Sequence, residues 1–386
     1  MRQTVSLLAV CLCALLAEHS VASQELPRGQ VIDSVQCAAD STQSYSLYLP
    51  STYTAERAWP LLMGFHPGAR GRAIVEKYRE AAERYGYIVA ASNNSRNGPW
   101  EVSGRAVAAM AQDLGTRFST DPRRLYATGH SGGARVALQL ALRNHIAGVI
   151  ASSAGFPDRL PHSKLSFVLF GTAGENDFNY IEMKMLDNSV KSPHRVVIFD
   201  GGHTLPPDDL AMEAIEWLEL QAIRSGIRQK DDALLTALWT KRLGVATAAG
   251  GAPVRAVPLL QDLVEDFKGL RDVKAQEDLL ATLLKNPETK RALDRQRDAD
   301  RSELQLLEEI GRLEAGLSDS ATRNESFVGL RHLLQDCQKK ATAPEDSPQR
   351  TSARRVLRVV TMGGSERVRD KEYLALLKQM GAKPPA

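Results

Sequence analysis

The sequence predicts an α/β fold, a doubly wound and mostly parallel sheet, followed by an all-α helical domain. In residues 24–225, short β-rich apolar runs alternate with amphipathic helical stretches, as in folds built from strand–helix–strand units. Residues 226–386 are rich in Leu, Ala, Arg and Glu and carry only helical patterns. A chain of 386 residues is also longer than one typical domain.

The elements of the first domain follow from hydrophobic periodicity. Each predicted strand is a short apolar or alternating run, and each predicted helix repeats apolar residues every three or four positions. The strands are 45–49, 61–65, 87–92, 125–128, 146–152, 165–170 and 195–199; the helices are 73–85, 104–118, 134–143, 180–190 and 208–224. Because parallel strands end at one edge of the sheet, we expect the chemistry in the loops that follow them.

The second domain is predicted as consecutive helices over 231–380, with apolar stripes such as Leu304, Leu307 and Ile310. It faintly resembles tetratricopeptide units, although its repeat is irregular. Two interpretations stay open: an appendage packed on the first domain, or a solenoid that binds a protein partner. Charges such as Arg354 and Arg355 are expected on a solvated face.

The N-terminal segment, residues 1–23, has the pattern of a secretory signal peptide. A basic residue, an apolar run over 5–16 and small residues over 20–23 follow in that order. We therefore expect a secreted or periplasmic protein without a membrane span after cleavage. The mature chain then keeps Cys37 and Cys337, which are compatible with pairing and with the reduced state.

The charge balance argues against polyanionic partners. Lys and Arg number 49 and Asp and Glu 46, for a net charge of +3, which gives no global field that favours nucleic acid or acidic membranes. The hydrophobic share of 43% and charged share of 25% are those of an ordinary globular chain, which argues against global disorder.

Residues 129–133 read Gly-His-Ser-Gly-Gly and fit the pattern G-x-S-x-G between a predicted strand and a predicted helix. In that context a tight turn exposes the Ser131 hydroxyl, and flanking glycines avoid collisions with backbone. The N-terminus of the following helix offers free N–H groups to a developing oxyanion. Ser131 is therefore the predicted nucleophile.

A serine nucleophile needs a base, and the base needs a carboxylate. His203 follows the last predicted strand after two glycines, which makes it the predicted base. The carboxylate is expected in the loop after the strand at 165–170, where Asp177 is preferred to Glu175. Asp200 is a weaker alternative, because it lies so close to His203 in sequence that it is expected to cap the loop.

These motifs together resemble the α/β-hydrolase superfamily over about residues 30–222. The resemblance is to secreted esterases related to polyhydroxybutyrate depolymerases, feruloyl esterases, dienelactone hydrolases and carboxylesterases. It implies acyl transfer to Ser131 in the chain order Ser131, Asp177, His203. Ser131 argues against the dienelactone-hydrolase branch, which typically uses a cysteine.

The same resemblance implies an oxyanion hole and a substrate. One donor is the Gly132 N–H, and the second comes from the segment after His66. Pro67 has no N–H, which leaves Gly68 or Ala69. His66 is assigned to substrate binding, and Trp100 is equally compatible with a wall of the substrate pocket and with packing over the core. The substrate class is an ester, and the nearly neutral first domain favours uncharged esters. No metal or cofactor is expected.

Two other functions stay open at this point. A serine peptidase of the same fold would use the same triad, but it usually needs additional specificity domains upstream. A non-catalytic scaffold would use the helical domain to bind partners. The intact order of Ser131, Asp177 and His203 favours an enzyme.

Overall fold

The structure, a computed structural model, describes residues 26–381 apart from the side chains of residues 364–367. The strands, in chain order, are β1 (Val31–Gln36), β2 (Ser44–Tyr48), β3 (Trp59–Phe65), β4 (Ile88–Ser92), β5 (Thr120–His130), β6 (Gly148–Ser152), β7 (Val168–Gly174) and β8 (His194–Phe199). They form one sheet in the order β1-β2-β4-β3-β5-β6-β7-β8. β2 pairs antiparallel with β1 and β4, and every later neighbouring pair is parallel.

Helices connect the parallel strands and then continue alone. The helices that accompany the sheet are α1 (Gly71–Tyr85), α2 (Trp100–Arg117), α3 (Gly132–Arg143), α4 (Tyr180–Ser189) and α5 (Asp208–Arg224). Those that follow it are α6 (Asp232–Ala248), α7 (Pro253–Phe267), α8 (Lys274–Lys285), α9 (Pro287–Gly316), α10 (Arg323–Ala341), α11 (Pro348–Arg367) and α12 (Lys371–Gly381). The predicted fold class, a doubly wound and mostly parallel sheet followed by an all-α region, is confirmed.

The sheet separates two apolar layers. Along β3, Leu61 and Met63 pack into the layer that contains α2 and α3, whereas Leu62 packs into the layer that contains α1 and α5. A strand buried on both faces has no polar side to present, which explains the continuous apolar run in the sequence. The layers leave the carboxyl ends of the strands free to carry the loops that form the site.

Three strands differ most from the prediction. β5 runs over Thr120–His130, whereas the predicted strand is 125–128. The other two are β1 and β7. β1 was not predicted, because it lies at the sheet edge and its residues Asp33 and Ser34 are exposed, so the strand lacks an apolar pattern. β7 begins at Val168 and extends to Gly174, whereas the predicted strand was 165–170. Its last residues are small and buried, and periodicity does not separate such residues from a glycine-rich loop.

The predicted domain boundary between residues 225 and 226 falls between α5 and α6. From α5, Leu220 and Ile223 pack in one apolar cluster with Leu235 of α6 and with Leu263 and Phe267 of α7. The first helices of the second part therefore pack directly on the last helix of the sheet region.

A buried ion-pair network joins the same two parts. The Asp266 carboxylate on α7 accepts hydrogen bonds from Trp217 Nε1 on α5, at 3.1 Å, and from Arg242 on α6. It also forms an ion pair with Arg195 Nη2 on β8 at 2.8 Å. The side chains of Asp266 and Arg195 are 1% and 3% exposed, so this carboxylate neutralises guanidinium groups that have left water.

A separate apolar cluster holds the last four helices together. It contains Ile310 of α9, Leu334 of α10, Val356 of α11 and Tyr373 of α12. The expectation of a solvated face holds for the exposed Arg354 but is wrong for Arg355, which is 3% exposed. From the sequence no apolar stripe was identified over α11, so the side of this helix that faces α9 was not predicted.

Cys37 and Cys337 are both buried and unpaired, so the structure favours the reduced alternative. Burial raises the pKa of each thiol to about 11. Within residues 26–381 no helix is long and apolar enough to cross a membrane. The predicted signal peptide at 1–23 lies outside the described residues.

We expect Asp266→Asn to lower the free energy of unfolding by about 3 kcal/mol, because two buried guanidinium groups lose their shared carboxylate. Urea denaturation of the full chain measures this change. Asp278→Asn is the matched control, since Asp278 pairs with Lys274 on an exposed helix face and should leave the urea midpoint unchanged. Equal stability of Asp266→Asn and the wild type would contradict the structural role given to this network.

Candidate active site

Ser131 occupies the turn between β5 and α3 with φ 54° and ψ −123°. This backbone conformation is strained for a residue other than glycine, and it turns the side chain out of the strand-to-helix connection. A Cβ on Gly129 would lie 2.2 Å from the Gly133 carbonyl oxygen, and a Cβ on Gly133 would lie 2.1 Å from the Phe65 carbonyl oxygen. The two glycines of the motif are therefore required by close backbone approach.

Asp177 and His203 form a hydrogen-bonded pair. Nδ1 of His203 lies 2.8 Å from Oδ1 of Asp177, which also accepts the Asn179 N–H at 2.8 Å. Asp177 is fully buried, and its Oδ2 atom has no hydrogen-bond partner among the described residues. Phe178 stacks on the His203 ring at a centroid distance of 4.0 Å. Carboxylate and stacked ring together orient the imidazole, with Nε2 directed away from Asp177.

The structure distinguishes the three carboxylates considered from the sequence. Asp177 is the one that contacts His203, as preferred. Glu175 and Asp200 are exposed, and neither side chain forms a described contact with the imidazole. Asp177 is buried because β7 runs on to Gly174, and a Cβ on Gly174 would lie 2.4 Å from the carbonyl oxygens of Gly201 and Gly202. The loop of the acid and the loop of the base are thus in direct backbone contact.

Ser131 lies at the same edge of the sheet as this pair. The Ser131 N–H donates to the Ser152 carbonyl at 2.8 Å. Ser153, which follows Ser152 in the chain, donates from Oγ to the carbonyl of Thr204, the residue after His203, at 3.4 Å. The His130 ring lies 4.9 Å from the His203 ring. Among the described residues no hydrogen bond joins the Ser131 hydroxyl to His203. Such contacts are often loose in the absence of substrate.

Three imidazoles form a row at this edge, with His66 6.0 Å from His130 and His130 4.9 Å from His203. Burial and then the neighbouring charge of His203 lower the pKa of His130 to about 4. Burial and then the Arg70 charge lower the pKa of His66 to about 4 as well. Both rings are therefore neutral at neutral pH. Within the described residues no group of three His, Cys, Asp or Glu side chains is placed to hold a metal ion.

The predicted oxyanion donors differ in whether their backbone N–H groups are already hydrogen-bonded. Gly132 is the first residue of α3, so its N–H has no partner four residues earlier in the helix. Gly68 N–H donates to His66 Nδ1 at 2.9 Å, and Ala69 N–H donates to the His66 carbonyl at 3.1 Å. Both amides of the loop after β3 are therefore engaged in this conformation.

Asn97 is a neighbour of the site that the sequence did not single out. A Cβ on Gly132 would lie 1.8 Å from Asn97 Oδ1, so the carboxamide covers the Cα of Gly132. The Asn97 N–H donates to the Pro67 carbonyl at 2.9 Å, which ties its loop to the loop after β3. The one signal in the sequence is that Asn97 lies three residues before Trp100, which is compatible with a wall of the substrate pocket.

The two predicted substrate-binding residues occupy different places. His66 is 3% exposed, and its Nε2 lies 2.9 Å from Arg70 Nη2. Trp100 begins α2, is 49% exposed and lines a cavity of about 280 Å³ together with Val136 and Leu140. None of the three triad residues lines that cavity, which lies between α2 and α3.

Solved structures that resemble this chain include several esterases. An esterase from Pyrobaculum calidifontis aligns at 12% identity over 51% of this chain and 87% of its own, with a TM-score of 0.39. S-formylglutathione hydrolase from Staphylococcus aureus aligns at 18% identity over 50% and 98%, with a TM-score of 0.37. The feruloyl esterase module from Clostridium thermocellum aligns at 13% identity over 48% and 85%, with a TM-score of 0.39. No protein-family model and no curated protein sequence matches this chain. Structural similarity at this level of identity and TM-score does not indicate a shared activity. The fold assignment rests on the strand order described above.

We expect the pH dependence of stability to reveal the buried state of His130. Unfolded histidine takes up a proton near pH 6.5, whereas folded His130 does so only near pH 4. Protonation thus favours the unfolded state as the pH falls from 6.5 to 4, and stability is lost in that window. Between pH 7 and pH 5 this group should account for about 1–2 kcal/mol of the loss.

Urea denaturation at both pH values tests this assignment with His130→Gln, whose loss over the interval should be smaller than that of the wild type. His332→Gln is the control, because His332 is exposed and should leave the pH dependence unchanged. An equal loss in His130→Gln and the wild type would show that His130 titrates normally.

Proposed function

We propose that this protein is a serine hydrolase that cleaves carboxylic esters through an acyl-enzyme on Ser131. The observation that carries the proposal is the left-handed turn at Ser131, located at the same sheet edge as the hydrogen-bonded Asp177–His203 pair. A strained nucleophile turn followed by a helix N-terminus, with a buried carboxylate–imidazole pair beside it, supports acyl transfer rather than a purely structural role.

In the proposed first step, Ser131 Oγ attacks the ester carbonyl while His203 Nε2 takes the hydroxyl proton. Asp177 holds the imidazole by Nδ1 and stabilises the imidazolium that forms. Because Asp177 is buried and its Oδ2 lacks a hydrogen-bond partner among the described residues, its negative charge is available to the developing cation. The oxyanion accepts the Gly132 N–H at the N-terminus of α3.

In the following steps the imidazolium returns its proton to the departing alkoxide, which leaves as an alcohol, and Ser131 keeps the acyl group. Water, deprotonated by His203, then attacks the acyl carbonyl, releases the carboxylic acid and restores Ser131. The second oxyanion donor is proposed to be Gly68 or Ala69. This requires one of these amides to exchange its bond to His66 for the oxyanion.

The substrate is proposed to be an uncharged ester of accessible size. The segment between β6 and β7 contains no helix or strand in the described structure, so no cap domain covers the site from that connection. Export by the predicted signal peptide, to the periplasm or outside the cell, is part of the same proposal. A protein partner at the helical region also stays a proposal.

Hydrolysis of short-chain p-nitrophenyl esters, compared with peptide p-nitroanilides, tests the proposed reaction. We expect turnover of the esters, and we expect Ser131→Ala to reduce kcat at least about 1,000-fold because the nucleophile is removed. Ser163→Ala is the matched control, since Ser163 is exposed in a loop outside the site.

Each contrary outcome identifies a different error. Activity retained in Ser131→Ala would mean that another residue is the nucleophile. Faster cleavage of the amides would favour a peptidase. A folded wild type that turns over neither class would favour the non-catalytic scaffold.

A further inference from the structure

Two arginines of α11 reach the loop that carries Asp177. Arg355 Nη1 donates to the Glu175 carbonyl at 2.7 Å, and Arg358 Nη1 donates to the Asn176 carbonyl at 3.1 Å. Glu175 and Asn176 are the two residues that directly precede Asp177 in the chain. We call Arg355 and Arg358 the arginine clamp.

The other backbone groups of the same two residues bind the loop of the base. Glu175 N–H donates to the Phe199 carbonyl at 2.8 Å, and Asn176 N–H donates to the Gly201 carbonyl at 2.9 Å. Residues 175 and 176 therefore connect α11 on one side to the His203 loop on the other. A Cβ on Gly202 would lie 3.6 Å from Arg358 Nη1, so the clamp also reaches the residue before His203.

Arg355 is itself held rigidly. Its Nε lies 2.9 Å from Oε1 of Glu303 on α9, and Nη2 donates to the same carboxylate. The side chains of Arg355 and Glu303 are 3% and 1% exposed. The guanidinium carbon also lies 3.8 Å from the centroid of the Tyr180 ring, three residues after Asp177. Arg355 thus contacts the chain on both sides of the catalytic carboxylate.

An ion pair that only stabilised the fold would not need the additional bond from Arg355 to the Asp177 loop. Burial of two charges costs desolvation that their attraction only partly offsets, so a buried pair is weak evidence for a gain in stability. Here an N–H of the buried Arg355 guanidinium, not used by Glu303, donates to a backbone carbonyl close to Asp177. Displacement of a catalytic group by about 1 Å can reduce the rate of a reaction about 100-fold.

We propose that the arginine clamp, fixed by Glu303, positions the Asp177 loop against His203, so that the C-terminal helices complete the active site. Arg355 and Arg358 are positioning residues, since they act through Asp177 and touch no reacting atom. The inference rests on the proposed triad and gives the helical region a role in catalysis.

The test compares ester kinetics of full-length variants. Arg355→Met should lower kcat about 10- to 100-fold with little change in KM, because binding is kept while alignment is lost. Arg358→Met should lower kcat severalfold. Arg354→Met is the matched control, and it should leave kcat unchanged. Arg354 is exposed, and its one hydrogen bond to a described residue is donated to the Ala341 carbonyl within the helical region.

A double-mutant cycle separates positioning from general stability. In an Asp177→Asn background the carboxylate no longer carries catalysis, so Arg355→Met should cause little further loss. The same fold loss in both backgrounds would overturn the proposal. Wild-type kcat in folded Arg355→Met would also overturn it, and if that variant does not fold, wild-type kcat in Arg358→Met would do so.

Hydrogen exchange tests the clamp independently of activity. Amides in segments 171–180 and 199–205 should exchange faster in Arg355→Met and Arg358→Met than in the wild type and Arg354→Met. Unchanged exchange there would contradict the clamp even if no ester is hydrolysed. An inactive wild type with faster exchange in the clamp variants would refute the proposed function and leave the positioning of the loop supported.

Discussion

The hydrogen bond between Asp177 and His203 is the constraint on which the rest of the site depends. It joins two loops from different strands, and it places a carboxylate out of water. One oxygen of this carboxylate is bonded, and the other has no partner within the described part of the chain. Such a charge is tolerated only if its surroundings fix the imidazole beside it. The close approach of Gly174 to Gly201 and Gly202 fixes the imidazole from the side of the sheet. The arginine clamp fixes it from the side of α11.

The helical region is therefore more than an appendage at the end of the sheet. Its contacts with the first domain include the Asp266 network on α5 and β8 and the bond of Arg355 to the acid loop. Both contacts bury charged groups, so the relative position of the two parts depends on directional bonds as well as on apolar area. In this arrangement α6 and α7 bind the outer edge of the sheet, and α9 and α11 bind the acid loop beside it.

The sequence predicted the fold class and most of the sheet, because buried parallel strands and amphipathic helices have periods that local reading detects. It did not predict β1, whose polar edge residues lack a period, or the burial of Arg355 on α11. The triad residues could be proposed because each follows a strand. Three features could not be predicted: the hydrogen bonds of Gly68 and Ala69, the position of Asn97 beside Gly132, and the arginine clamp. They depend on the folded conformation of loops and on contacts between segments distant in sequence.

The central claim is that His203, oriented by Asp177, activates Ser131. Intact-mass analysis and peptide mapping of the full chain after reaction with a fluorophosphonate test this claim most directly, because such reagents modify activated serines. We expect one adduct per chain, located on Ser131, and much slower labelling of His203→Ala. A folded protein that acquires no adduct, an adduct on another residue, or equal labelling of His203→Ala would contradict it.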